Sequence, residues 1–351
     1  MGISVESLNL SPEIVRLIGE IDEFKGAWKS YSLLEPERLR FLRKVATIES
    51  VGSSTRIEGS KLSDEAVEAL LSRVGTATFR SRDEQEVGGY AFVSEEIFSN
   101  FEHIPFTENS IKQLHAWLLK YSEKDGCHRG DYKKISNNIE AFDESGKSLG
   151  VIFETASPFD TPFEMEELVL WVRESLEQKT VHPLIVVALF ILCFLAIHPF
   201  QDGNGRLSRC LTTLLMLKCG YYFVPYSSLE SIIEKNKESY YLALRRSQQS
   251  LKKDNPDYQT WLLFFFRSLH KQATQLKLKV SQEHVLQSRL PELSASILHL
   301  LEQHVHLSIG QIEVLTKANR NTLKKHLESL VEKSLLLRQG KGRATFYARA
   351  R

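Results

Sequence analysis

His198-Pro199-Phe200-Gln201-Asp202-Gly203-Asn204-Gly205-Arg206-Leu207-Ser208-Arg209 is the stretch whose reading decides this chain. The residues before it, Leu184 to Ile197, are almost continuously apolar and follow Pro183, a favoured first helical residue. That pattern predicts a buried helix ending at His198. Gly203 and Gly205 allow a tight backbone turn, and the apolar run from Leu207 to Leu217 predicts a second helix beginning there. A glycine-rich turn at a helix N-terminus is an anion site, through unpaired N–H groups and the positive end of the dipole. Arg206 and Arg209, spaced i, i+3, share a helix face and suit polyphosphate oxygens. His198 has the chemistry of a general base, and Asp202 that of a ligand for a hard cation. Singly, each has an ordinary reading as a capping histidine, a solvated loop acid or a plain turn. Together they point to nucleotide phosphoryl or nucleotidyl transfer.

The chain has 351 residues, enough for two or three domains, with 42% apolar and 25% charged residues, an ordinary globular balance. A net charge of +1 predicts no strong overall attraction to nucleic acid or to an anionic membrane. Cys127, Cys193, Cys210 and Cys219 show no C-x-x-C spacing and read as reduced thiols rather than a disulfide framework or zinc site. The N-terminus lacks the pattern of a signal peptide, and Leu184–Ile197 is too short to span a bilayer. The expected compartment is the cytoplasm, with no membrane contact.

Working outward, the chain reads as mainly α. Ser11-Pro12-Glu13 opens a helix, and Leu39, Leu42, Val45 and Ile48 carry helical periodicity toward Glu58-Gly59. Ser63-Asp64-Glu65 caps another, and Asn109–Tyr121 and Phe163–Gln178 predict two more. Between Gly126 and Pro162 the helical period fails. Glycines and prolines punctuate that stretch, and Tyr132–Ile135 and Val151–Thr155 predict a short β-hairpin. The expected organisation is a helical N-terminal region (1–105), a catalytic core (106–270), a polar linker or solvent-facing helix (271–287) and a small α+β domain (288–351).

The twelve-residue stretch meets every fixed position of H-x-F-x-(D/E)-G-N-G-R-x-x-R, and so resembles the signature of Fic-domain proteins. The resemblance covers roughly residues 35 to 250. It implies a protein adenylyltransferase that moves AMP from ATP to Ser, Thr or Tyr hydroxyls of target proteins, the chain itself included. His198 would be the base, and Asp202 would hold Mg²⁺ between the α- and β-phosphates. The ATP-binding set would be Glu58, His198, Gly203, Asn204, Gly205, Arg206, Leu207, Ser208, Arg209, Tyr240 and Tyr241. Tyr240 and Tyr241 read equally well as an ordinary helix-packing pair. Val151, Ile152 and Phe153 resemble the flap that docks a target segment by strand addition. Relatives often read G-x-(Y/F)-R upstream, whereas Gly130-Asp131-Tyr132 is followed here by Lys133. Gln248 falls where some relatives carry an asparagine.

Ser54, Glu58 and Gly59 match the family's inhibitory motif (S/T)-x-x-x-E-(G/N). Ser54 and Glu58, spaced i, i+4, share a helix face, and Gly59 suits the C′ position. The resemblance implies that Glu58 pairs with Arg209 and takes the place of the γ-phosphate. It is equally compatible with the reverse reaction, removal of AMP, and with self-association into a homodimer.

From Glu292 onward, helices at 292–304, 309–316 and 320–334 and strands at 335–338 and 345–348 resemble a winged helix-turn-helix. Residues 289–351 hold eleven basic side chains against five acidic ones, a balance of +6. Arg320, Lys324 and Lys325 on the third helix and Lys341 and Arg343 in the wing suit a phosphate backbone, with Asn319 and Asn321 placed to reach base edges. A nucleotide-sensing, DNA-binding regulator is therefore the competing function, and a dimerisation or target-docking module the competing role for residues 288–351.

Overall fold

The computed structural model describes residues 3, 8–31, 36–72, 79–142, 148–251, 253, 255–288, 291–304, 306–332, 335–340, 342 and 345–349. The chain divides into two compact units, residues 1–276 and 277–351. Residues 1–105 and 106–270, read apart in the sequence, lie in one of them.

The first unit opens with α1 (Pro12–Tyr31), α2 (Pro36–Ile57), α3 (Asp64–Leu71), α4 (Arg82–Asn100) and α5 (Glu108–Leu118). A hairpin of β1 (Ile139–Phe142) and β2 (Ser148–Phe153) follows, then α6 (Thr161–Gln178), α7 (Pro183–Ile197), α8 (Asn204–Lys218), α9 (Leu229–Lys235) and α10 (Lys237–Gln248). α11 (Gln259–Ser288) begins in this unit and continues past its boundary, so residues 271–287 are helical.

α7 is the centre. Every side chain from Leu184 to Ile197 is buried, because α6, α8 and α10 all pack against it. A helix apolar all round belongs in such a position. α2 lies against α4, α8 and α9, and this brings its C-terminal end to the start of α8. Its neighbour α4 starts with a capping box, in which Ser81 accepts from the Glu84 N–H and Glu84 reaches back to the N-cap backbone.

The hairpin is antiparallel, with Ile139 opposite Phe153 and register shifts on either side of Glu140–Ala141. Its first strand corrects the expectation from sequence: Tyr132–Ile135 is not a strand. Tertiary contacts hold those residues instead. The Lys133 N–H donates to Pro199 O at 2.8 Å, and the Tyr132 hydroxyl donates to Glu108 at 2.7 Å. Expected residues 143–147 of the loop, and the Ile152 side chain, lie outside the described residues.

The second unit contains α12 (Glu292–Gln303), β3 (Leu307–Ser308), α13 (Ile309–Thr316), α14 (Arg320–Glu332), β4 (Leu336–Gln339) and β5 (Phe346–Arg349). The antiparallel sheet has the order β3-β5-β4, and two-residue β3 escaped the sequence reading. Ile297, Leu301, Leu307, Ile312, Leu323, Leu327, Leu330, Leu336 and Tyr347 form its core. The wing residues Lys341 and Arg343 lie outside the described residues.

Candidate active site

The turn between α7 and α8 is built from main-chain anchors. His198 is the C-cap of α7 in the left-handed region (φ 54°), a conformation that costs a non-glycine residue about 1 kcal/mol or more. Its N–H donates to Phe194 O at 2.9 Å, and its carbonyl accepts from Asn137 Nδ2 at 3.1 Å. Asn137 Nδ2 also donates to Phe200 O at 2.7 Å, so one amide spans the turn. Asn204 clasps the turn from the other side, with Oδ1 accepting from the Phe200 N–H at 2.9 Å and Nδ2 donating to Phe200 O at 2.6 Å.

The His198 Nδ1 lies 3.4 Å from Leu195 O. A carbonyl only accepts, so this contact favours the proton on Nδ1 and leaves Nε2 as the lone-pair nitrogen. Burial, assisted by the nearby Lys133 charge, lowers the imidazole pKa to about 4. The ring is therefore neutral at physiological pH. His115, unmarked by any motif, is fully buried beneath the turn. Its Nδ1 accepts from the Gly130 N–H at 3.0 Å and its Nε2 donates to Asp202 O at 3.0 Å. The ring stacks on Phe200 with centroids 3.8 Å apart.

α8 begins at Asn204 rather than at Leu207, so the glycine-rich segment supplies its first turn. The N-cap Gly203 (φ 81°) makes no side-chain cap, and the first-turn N–H groups point outward without intrahelical acceptors. Asp202 sits beside them. Its Oδ1 accepts from the Gly203 N–H at 2.6 Å and from Arg206 at 3.2 Å, and its Oδ2 from Arg82 at 3.3 Å. Burial raises the Asp202 pKa, but Arg206, the Gly203 N–H and Arg82 outweigh it, and the net shift is downward. Arg206 is itself buried and paired with Glu86 of α4 at 3.2 Å.

α2 ends at Ile57 in a Schellman arrangement. The Ser60 N–H bonds Thr55 O and the Gly59 N–H bonds Arg56 O, both at 3.1 Å, with Gly59 at φ 107°. Glu58 is thereby held at the helix end, facing α8. Arg209 Nη2 donates to Glu58 Oε1 at 2.8 Å, and Arg209 Nε donates to Ser54 Oγ at 2.8 Å. Burial would lower the Arg209 pKa, but the Glu58 carboxylate reverses this and raises it. Arg209 Nη1 is buried with no hydrogen-bond partner among the described residues. Gly205 accommodates this approach, since a methyl group there would overlap Glu58 Oε1.

A cavity of about 390 Å³ opens at this junction. Its lining joins Glu58, His198 and Asp202–Arg206 to Ile139 and Phe153 of the hairpin and to Tyr240, Tyr241, Leu244, Arg245 and Gln248 of α10. Tyr240 is buried, which raises its pKa to about 12, and Tyr241 is more exposed. Val151 is exposed on β2. The Leu207 and Ser208 side chains are fully buried and do not line the cavity, and the Ser208 hydroxyl bonds Gly205 O at 2.7 Å. Asn204 lines the cavity and also braces the turn, with both its polar atoms bonded to the Phe200 main chain. Gln201, Ile139, Arg245 and the positioning pair His115 and Asn137 were not legible in any motif.

The fold and cavity define a helical domain whose site lies at the N-terminus of one helix and is faced by the end of another. Residues 105–216, which hold the α7–α8 turn, match the sequence model of the Fic/DOC family. It is 27% identical over 185 residues to the protein adenylyltransferase Fic of Drosophila melanogaster, a match covering 52% of this chain and 35% of the relative. It is 30% identical over 101 residues to a probable protein adenylyltransferase of Aquifex aeolicus (strain VF5), covering 29% of this chain and 28% of the relative. The chain thus spans about a third of the length of these curated relatives. A Fic family protein from Desulfovibrio desulfuricans G20 shares the fold (TM-score 0.63, 23% identity, 98% of this chain and 97% of that one). A Fic domain containing signaling protein from Bacteroides thetaiotaomicron VPI-5482 superposes with a TM-score of 0.61 at 25% identity, covering 75% of this chain and 97% of that one.

Proposed function

We propose that the chain is a protein adenylyltransferase that moves AMP from ATP to a Ser, Thr or Tyr hydroxyl, restrained by Glu58. The observation that carries this reading is the meeting of a neutral His198, the uncapped first turn of α8 and a buried Arg209 donor around one nucleotide-sized cavity. His198 Nε2 would take the proton of the target hydroxyl. The hydroxyl oxygen would bond to the α-phosphorus as the bond to the β-phosphate oxygen breaks, and pyrophosphate would leave. The α8 N–H groups and Arg206 would stabilise the phosphates, while Tyr240 and Tyr241 would pack against the adenosine.

Asp202 fits a magnesium ion that arrives with the triphosphate. Such an ion takes one or two protein carboxylates and completes its shell with phosphate and water. Among the described residues no group of three His, Cys, Asp or Glu side chains is placed to hold a metal ion. The ion, when bound, would neutralise charge between the α- and β-phosphates.

Glu58 holds Arg209 where the γ-phosphate would otherwise be bound, so ATP would sit with its α-phosphate out of line. The hairpin β1–β2 would hold the target segment by strand addition, with Val151 and its neighbours against it. Intact-protein mass spectrometry after incubation with ATP and Mg²⁺ tests the reading. An added AMP in Glu58→Gly, absent in Glu58→Gly/His198→Ala, supports it. No nucleotide binding to Glu58→Gly would exclude it. Running the same site against an AMP-modified chain tests the reverse reaction, in which Glu58 would serve a water nucleophile.

A second reading is favoured by the second unit. Lys317, Asn319, Arg320, Asn321, Lys324 and Lys325 are all exposed at the start and along one side of α14. We infer a winged-helix contact with duplex DNA that the nucleotide site would modulate. Gel-shift titration of the full chain at several salt concentrations tests it, and salt-independent absence of binding points to protein docking or self-association instead.

A further inference from the structure

Lys133 is 3% exposed, yet it carries an ammonium group. Its three donors are matched by three acceptors: Asn137 Oδ1 at 2.8 Å, Thr155 Oγ1 at 2.9 Å and Ile197 O at 2.9 Å. Thr155 lies just beyond β2, Asn137 just before β1, and Ile197 directly precedes His198. Asn137 in turn donates to His198 O and Phe200 O, and Thr155 Oγ1 donates to Asn137 Oδ1 at 3.0 Å. The Lys133 N–H holds Pro199 O. Both ends of the hairpin are therefore tied, through buried and part-buried bonds, to four consecutive residues from Ile197 to Phe200.

We propose that Lys133, Asn137 and Thr155 form a positioning clamp that couples the hairpin to the turn carrying His198. A planar guanidinium carries its donors in a rigid fork, whereas an ammonium directs three donors to carbonyl, hydroxyl and amide oxygens arranged around a point. Lysine at this position is thus matched to a three-way junction. A segment pairing with β2 would load the same bonds that set the left-handed turn, so target docking and base alignment are one mechanical event. The meaning of the clamp rests on the transferase reading, while its existence rests on the bonds themselves.

Hydrogen–deuterium exchange of the full chain separates these. Lys133→Met and Thr155→Val should each speed exchange in residues 148–155 and in residues 198–203 together by about fivefold, the scale of one lost hydrogen bond. The interior of α7 should stay as slow as in the parent. In the Glu58→Gly background, Lys133→Met should cut AMP transfer by about 10- to 100-fold, with affinity for a fluorescent ATP analogue kept within about twofold. Faster exchange confined to the hairpin in both variants would overturn the clamp. If Lys133→Met does not fold, Thr155→Val, which removes one acceptor at constant shape, decides alone. If Glu58→Gly transfers nothing, the transferase reading fails, and exchange still decides the clamp.

Discussion

Arg209 reaches Glu58 across 151 residues of sequence with a 2.8 Å hydrogen bond, and its guanidinium is almost wholly buried while the carboxylate stays one-third exposed. The asymmetry matters. The arginine is fixed by Ser54 and the core of α8, so the glutamate is the partner that can leave.

Removing it should therefore free the site without unfolding it. Glu58→Gly is expected to raise AMP transfer at least about tenfold, the effect of restoring one charge contact to the transition state. Its melting temperature should stay close to the parent's. Transfer rates at matched ATP check this, and equal rates in parent and variant would exclude restraint by Glu58.

Gly205→Ala probes the same contact from the other side. The position is helical with ordinary φ, so alanine gains up to about 1 kcal/mol of helix propensity. The new methyl overlaps only the end of the Glu58 side chain and lies near Arg209 Nη1. We expect a folded protein with a displaced Glu58. In the Glu58→Gly background, the same methyl should weaken nucleotide binding by crowding the anion seat, measured with a fluorescent analogue.

Acid should loosen this domain through its buried histidines. Burial lowers the pKa of His115 to about 4, below its unfolded value near 6.5. The unfolded state then binds the proton first as pH falls. Stability is full above the unfolded value, is lost between about pH 6.5 and 4, and drops by up to about 3 kcal/mol from His115 alone. Denaturant unfolding at pH 7 and 4.5 measures this. His115→Asn should start lower at pH 7 and lose less on acidification.

A close helix crossing supplies a stability test away from the cavity. Gly89 on α4 faces the carbonyl of Leu118 on α5, and an added methyl would collide with that backbone oxygen. Gly89→Ala should cost about 1–3 kcal/mol, since backbone cannot yield as a side chain does. A denaturant midpoint unchanged from the parent would contradict it.

Much of the centre was legible beforehand, and for physical reasons. α7 announces itself because a helix surrounded by helices must be apolar on every side, and the glycines of the turn mark backbone that other residues avoid. The end of α2 was readable from Gly59, which takes the left-handed φ that its position requires. Ser81 and Glu84 carried a capping-box pattern that would have located α4, and with it Arg82 and Glu86 beside Asp202. By contrast His115 bonds only to main-chain groups, and Asn137 Nδ2 donates to two main-chain carbonyls, which every residue possesses, so no spacing betrays either. The shift of β1 from 132–135 to 139–142 has the same origin: β-favouring side chains were claimed by distant partners.

Gly59 closes α2 one residue beyond Glu58, so the glutamate sits at the last turn of a helix rather than within it. Dislodging it requires one terminal turn to open, a nanosecond-to-microsecond event, and no rearrangement of whole domains. Arg56, held by Glu234 and Asp64 on that turn, would then set how often it loosens. Under the restraint proposed above, the site would open and close continually, with its resting level set by the tightness of a few bonds at one seam.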